Sequence, residues 1–258
     1  MRHVTLRWGM TLLAFTAGIP LSGIEAAGQP TPLMAQGVEE QGKRSPTTLK
    51  MPMYQPPKRG APGGRVGGGT RGPGDDLPAV FVLAPDHMGL TVQEQPDLYW
   101  YISKPTPHPI ELAIIFSEGA QPLAPLIESR IPSPTKPGMQ RIRMSDYGIR
   151  LAPGKQYQWF VAVVTKPSRR SNDILAGGFI ERVPLPEAVT AKLAKADKEQ
   201  ASHVYAEAGL WYDAVMAISS LIDAAPKDTV LRNYRSALLQ QVGLREIADY
   251  DLKQVAIN

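Results

Sequence analysis

Four histidines, two adjacent acidic pairs and one glycine-rich string are where this chain could carry chemistry. His3 lies in the N-terminal segment, His87 and His108 stand among prolines, and His203 falls in a helical pattern with no second ligand at i+4. A zinc hydrolase would need the paired histidines of HExxH, a serine hydrolase the GxSxG elbow and a calcium site the EF-hand loop; none of these strings occurs. Glu39-Glu40 and Asp75-Asp76 lie in linker sequence, where neighbouring carboxylates solubilise rather than catalyse. The chain has no cysteine, which removes disulfides, cysteine–metal sites, a thiol nucleophile and a lipidated anchor. These residues favour a protein with no catalytic, cofactor-binding or metal-binding set, and a hydrolase with an unrecognised site ranks third.

The glycine-rich string runs from Gly60 to Gly72, and within it Gly64 to Thr70 has the G-x-x-x-x-G…T frame of a phosphate-binding loop. The lysine is missing, and Pro73, Gly74 and Pro78 forbid the helix that must follow such a loop. The string reads instead as part of a flexible basic arm.

The elements that would position these residues fall into four parts. Arg2 and Arg7 precede an apolar run from Trp8 to Ile24, with small residues at Ala26 and Ala27, the pattern of a secretory signal peptide over residues 1–27. The expected location is the bacterial cell envelope, periplasmic or extracellular. Removing Arg2, Arg7 and Glu25 would change the formal charge from +4 to +3. Residues 28–76 hold eleven glycines and eight prolines, too few apolar side chains to offset ordering, and are expected to be a disordered linker. Lys43, Arg44, Lys50, Lys58, Arg59, Arg65 and Arg71 precede the next acid, Asp75. Such an arm attracts an acidic glycan or a membrane surface by screened, non-specific electrostatics. Nucleic acid is not an expected partner of an exported chain.

Between residues 77 and 183, short alternating runs separated by proline and glycine predict strands at 79–83, 90–93, 98–103, 110–117, 140–144, 156–165 and 174–182. Seven strands in this length fit an immunoglobulin-like β-sandwich. Tyr157, Trp159, Val161 and Val163 share one strand face, and Tyr157 follows a Leu…Pro-Gly turn in the manner of a tyrosine corner. Trp100 and Trp159 are expected in the core. A glycan-binding platform, the second reading, would instead expose Tyr99, Tyr101 or Trp159. Arg169 and Arg170 sit on a polar hairpin loop and are candidate contacts.

Residues 184–258 turn helical. Gly209, Leu210 and Ala214 recur 34 residues on as Gly243, Leu244 and Ala248, the tetratricopeptide period. About one and a half units are present, and a solenoid needs roughly three, so this tail must pack on the β domain, on a copy of itself or on another helical-repeat protein. Trp211 opens the second helix and joins Arg65, Arg71, Arg169 and Arg170 as a candidate interaction residue.

Taken together, Gly63-Gly-Arg65-Val66-Gly-Gly-Gly-Thr70-Arg71-Gly72, Val82-Leu-Ala-Pro, Leu98-Tyr-Trp100, Leu151-Ala-Pro-Gly-Lys-Gln-Tyr157-Gln-Trp159 and the Ser171 to Arg182 segment resemble the bacterial family called domain of unknown function 928. The resemblance implies no activity. It does imply that many members carry one cysteine after the glycine-rich string and another before the Arg-Ser loop, where this chain reads Gly72-Pro-Gly-Asp-Asp and Val164-Thr165-Lys166-Pro. The sequence thus points to an exported, non-catalytic envelope protein: a disordered arm, an immunoglobulin-like β-sandwich and a tetratricopeptide-like tail that binds another envelope protein.

Overall fold

The alternating runs of the middle segment become strands in the computed structural model, which describes residues 50–58, 64–67, 77–118 and 121–254. The signal-like segment and much of the basic arm, Arg71 included, lie outside these residues. The strands are β1 Val66–Gly67, β2 Val80–Val82, β3 Gly89–Thr91, β4 Asp97–Ile102, β5 Ile110–Glu118, β6 Gln121–Ile131, β7 Gly138–Arg143, β8 Gln156–Val163 and β9 Ile174–Arg182. A larger sheet runs β1-β9-β8-β5-β6, with β3 parallel to β9 on the same edge as β1; a smaller antiparallel sheet runs β2-β4-β7.

Seven strands fall where alternation places them. β6 does not, because Pro122 and Pro125 read as breaks. It is the outer strand of the large sheet, where a residue without an N–H can leave its open side unpaired, and the register slips where Ile115 faces Pro125. β8 keeps its predicted face: Tyr157, Trp159, Val161 and Val163 are buried, and the Tyr157 hydroxyl accepts a hydrogen bond from the Ala152 N–H at 3.0 Å.

β4 departs from simple alternation. Leu98, Trp100 and Ile102 join the same core as Val82 and Trp159, yet Tyr99 and Tyr101 are buried as well. The second face is covered by the tail: Tyr250 meets Tyr101 edge-on at 4.9 Å, and Asp223 pairs with Arg141 of β7. A strand covered on both sides reads as a continuous apolar run, and Leu98-Tyr-Trp-Tyr-Ile102 is one.

The tail contains α1 Glu187–Leu193, α2 Lys198–Glu207, α3 Trp211–Ala224, α4 Thr229–Gln241 and α5 Arg245–Lys253. Asp197 and Gln200 form a reciprocal capping box at the start of α2, and Asp228 caps α4. Its 34-residue spacing is a structural repeat. Leu210 N–H reaches Tyr205 O at 2.9 Å and Leu244 N–H reaches Leu239 O at the same distance, across turns whose glycines, Gly209 and Gly243, have φ of 75° and 76°. Replacing Gly243 by alanine should cost about 1–2 kcal/mol, the strain of a left-handed alanine. Gly209→Ala should do more, because its new Cβ would lie 2.8 Å from the Gln55 carbonyl oxygen. Amide exchange at Gln55 should therefore lose protection in Gly209→Ala and keep it in Gly243→Ala; equal protection in both would refute the distinction.

Candidate interaction surface

The tail is fastened to the sheets by the first two residues of α3. Trp211 is fully buried and donates from Nε1 to Leu83 O at 2.8 Å. Tyr212 donates to Phe179 O at 2.8 Å and accepts from Trp159 Nε1 at 2.9 Å, so one hydroxyl joins α3, β8 and β9. Close approach here depends on two strand glycines: a Cβ on Gly89 would fall 2.5 Å from the Tyr212 ring, and one on Gly178 would fall 2.5 Å from the Ala84 methyl.

A second fastening uses residues 50–58, which the composition assigns to a linker without a core. Tyr54 is buried, edge-on to Trp211 at 5.0 Å, and its hydroxyl is hydrogen-bonded to His87 Nε2 at 2.8 Å. Burial holds the His87 pKa below the usual imidazole value despite the neighbouring Asp86 carboxylate. Gln241 of α4 grips the segment twice, accepting from the Tyr54 N–H at 2.8 Å and donating to Pro52 O at 2.9 Å. Gln55 N–H donates to Ala206 O at 3.1 Å, and His203 Nε2 donates to Lys50 O at 2.9 Å. The segment thus lies across α2 and α4 by backbone hydrogen bonds, for which a Pro-rich, weakly apolar sequence gives little warning.

Beside it, a groove of about 700 Å³ opens between this segment, the end of α1 and α2. Met51 and Met53, 57 % and 65 % exposed, form one wall, and Val204 and Ala196 contribute to the other side. Lys50, Lys192 and Lys195 rim it, against the carboxylate of Glu207, which lies 3.4 Å from Lys192. Among the described residues, Lys50 and Lys195 have no ion-pair partner. The groove is apolar in its walls and positive at its rim.

Two buried ionic features stabilise or tune the tail. Arg235 of α4 makes a two-pronged pair with Asp251 of α5 at 2.6 and 2.7 Å and also donates to Ser219 of α3; Arg232 adds a third contact to Asp251 at 2.8 Å. Asp213, third residue of α3, is fully buried and accepts from the Val92 N–H at 3.1 Å, while its other oxygen has no hydrogen-bond partner among the described residues. Burial, only partly offset by hydrogen bonding from Val92 N–H, the Thr91 and Gln93 side chains and its own backbone, pushes its pKa up to about 6. The unfolded chain therefore loses this proton near pH 4 while the folded chain keeps it, so stability falls as pH rises from about 4 to about 6. Asp213→Asn, which retains an acceptor for Val92, should be more stable than the parent by about 2 kcal/mol at pH 7.5, with the gap closing below pH 4. Urea melts of both proteins across pH 4 to 7.5 check this; parallel pH profiles would disprove it.

The candidate contact residues of the sequence are distributed differently. Arg65 turns inward, donating to Ala84 O at 3.0 Å and Val242 O at 3.2 Å and pairing with Asp86 at 3.3 Å. It ties the arm to the body, and no local sequence signal distinguishes it from a solvated cation. Trp211 is a buried fastening residue rather than a surface one, since α3 turns that face to the sheets. Arg170 pairs with Glu111 at 2.6 Å and Asp173 at 2.9 Å, Arg169 stays exposed on the same loop, and Arg71 lies outside the described residues. Tyr99, Tyr101, Trp100 and Trp159 are all buried, so the aromatics proposed for a glycan platform are not on the surface. His87 hydrogen-bonds a tyrosine and His203 a backbone carbonyl. Among the described residues no group of three His, Asp or Glu is placed to hold a metal ion, and no helix is long and apolar enough to cross a membrane.

A two-sheet β domain clasped by its own helical tail and N-terminal segment is the class of protein this geometry defines. The chain belongs to the family described as Domain of Unknown Function (DUF928), whose model matches residues 66–252. No curated protein matches it. A solved multi-domain immunophilin from Arabidopsis thaliana aligns over 70 % of this chain and 95 % of its own at 8 % identity, with a TM-score of 0.18, too low to carry an argument.

Proposed function

We propose that this chain is an exported, non-catalytic envelope protein that serves as a protein-interaction module. In this reading the β domain is an immunoglobulin-like sandwich, supported by the Tyr157 to Ala152 hydrogen bond and the shared core of the two sheets. The tail is about one and a half tetratricopeptide-like units, supported by the two matched turns 34 residues apart. The observation that carries the interaction role is the open, lysine-rimmed apolar groove beside α2: Met51 and Met53 stay exposed there although the residues between and after them, Pro52 and Tyr54, are buried. Exposed methionines suit recognition because their side chains repack around a partner. In-cell crosslinking of the exported protein, followed by mass spectrometry, should recover the same protein partner in replicate experiments. Retention on purified cell wall with no reproducible protein partner would overturn this reading in favour of glycan binding.

A further inference from the structure

β6 ends the larger sheet: among the described strands its only neighbour is β5. The bonding of β5 shows which groups of β6 face outward. On one side of β5, Pro109 O accepts from the Val164 N–H at 2.9 Å; on the other, His108 O accepts from the Ser133 hydroxyl at 3.4 Å. In an antiparallel ladder both backbone groups of a residue point the same way and successive residues alternate. The even-numbered residues of β5 therefore bond β6. Ile110, Leu112 and Ile114 lie opposite Ile131, Ser129 and Ile127, so these three residues of β6 spend their N–H and C=O on β5. Glu128 and Arg130 turn theirs to the open side. Apart from a 3.4 Å contact of the Ser129 hydroxyl with Arg130 O, those groups have no partner among the described residues. The two side chains are exposed and form no ion pair among the described residues, and Glu111, opposite Arg130 on β5, is taken by Arg170 at 2.6 Å.

We propose that β6 pairs antiparallel with β6 of a second copy of this chain, about a two-fold axis through Ser129. The outward groups belong to Glu128 and Arg130, so a bonded register must set these residues against each other. With Ser129 facing its own mate, Glu128 of each copy stands opposite Arg130 of the other; both symmetric pairs exchange their backbone bonds, and unlike charges meet. A shift of two residues either way sets Glu128 against Glu128 or Arg130 against Arg130, which like charges oppose. The chosen register also keeps the core faces of the two sheets on one side. There Ile127, only partly buried in one copy, lies opposite Ile131 of the other and gains cover. Pro125 and Pro132 bound the free stretch, which limits the pairing to its short charged centre and discourages longer, unspecific ladders.

Sedimentation velocity of the whole chain should show a concentration-dependent dimer. Glu128→Arg and Arg130→Glu should each raise its dissociation constant at least about tenfold, because each turns two attractive pairs into two repulsive ones, and the double exchange should bring it back near the parent value. Both side chains are exposed, so at a dilution where every variant is monomeric all should melt with the parent, which separates lost pairing from misfolding. The register is read by disulfides. The chain has no cysteine of its own, so a single introduced thiol reports only on its mate. Ser129→Cys should give a linked dimer under mild oxidation, since facing residues of a non-hydrogen-bonded pair bring their Cβ atoms within disulfide reach. Glu128→Cys and Arg130→Cys, offset from their own mates, should link at least about tenfold more slowly. A parent that stays monomeric at every concentration, a dimer indifferent to both charge reversals, or equal linkage of the three cysteine variants would overturn the proposal. The pairing goes beyond the interaction reading and uses none of its groove. In-cell crosslinking that recovers a different protein from a chain that is monomeric in sedimentation would keep that reading and sink this one; a dimer of the predicted register with no other partner would do the reverse.

Discussion

Asp251→Ala should destabilise the protein by about 3–5 kcal/mol, the cost of removing one member of a buried ion pair. Asp251 is 1 % exposed, and the side chains of Arg235 and Arg232 that it neutralises are 6 % and 12 % exposed. The alanine variant would leave two guanidinium groups nearly out of water with Ser219, the Pro226 carbonyl and a long bond to the carbonyl of residue 251 as their acceptors among the described residues. α5 would then detach from α4, and with it the contact of Tyr250 with Tyr101. The charge itself is not the source of stability, because desolvating the pair costs much of what its attraction returns. The double variant Arg235→Met, Asp251→Leu should accordingly recover most of the loss. Chemical denaturation of the three proteins decides this; a single variant within about 1 kcal/mol of the parent would show that the pair is dispensable.

Trp211→Ala should cost a further large amount, about 3–5 kcal/mol, as expected for emptying a fully buried indole site. The loss has a direction. Trp211 contacts Tyr54 and donates to Leu83 O, so its removal loosens the N-terminal segment and the loop after β2 together. Limited proteolysis should cut near residues 50–58 in the variant before it cuts the sheets. Tyr212→Phe keeps the ring and removes only the hydroxyl that Trp159 Nε1 and Phe179 O share. Its cost should be smaller, about 1–3 kcal/mol for leaving buried polar groups unpaired, and the segment should stay protected. Cleavage of both variants at the same rate would mean that the segment is not held through Trp211.

Much of the β domain was legible because half-buried strands write their burial into the sequence at period two. β8 is the clearest case, with Tyr157, Trp159, Val161 and Val163 inward. The helical repeat was legible because close packing at a turn demands glycine and leucine at fixed positions. What escaped notice depends on partners distant in sequence. Pro122 and Pro125 look like breaks until β6 is known to be an edge. Tyr54 and Arg65 look like linker residues because their partners, Gln241, Trp211 and Val242, come 157 to 187 positions later. Trp211 stands out as an aromatic, but its neighbours in sequence do not say which way it faces. The groove has no sequence motif because its two walls, residues 50–53 and 192–207, lie far apart in the chain.

The hydrogen bond between Tyr54 and Gln241 closes a loop with a separation of 187 residues. Contacts so distant in sequence form late, since the entropy of closing the loop must be met before they contribute anything. A chain made from its N-terminus has His87 and Trp211 for the Tyr54 side chain before α4 emerges, but holds the Tyr54 N–H without Gln241 until then. The bond between Tyr54 and α4 is therefore among the last to form. Truncation after α3 should remove the hold of Gln241 on Tyr54 and Pro52 and leave that of α2 on Lys50 and Gln55, so the seating of the segment depends on both halves of the tail.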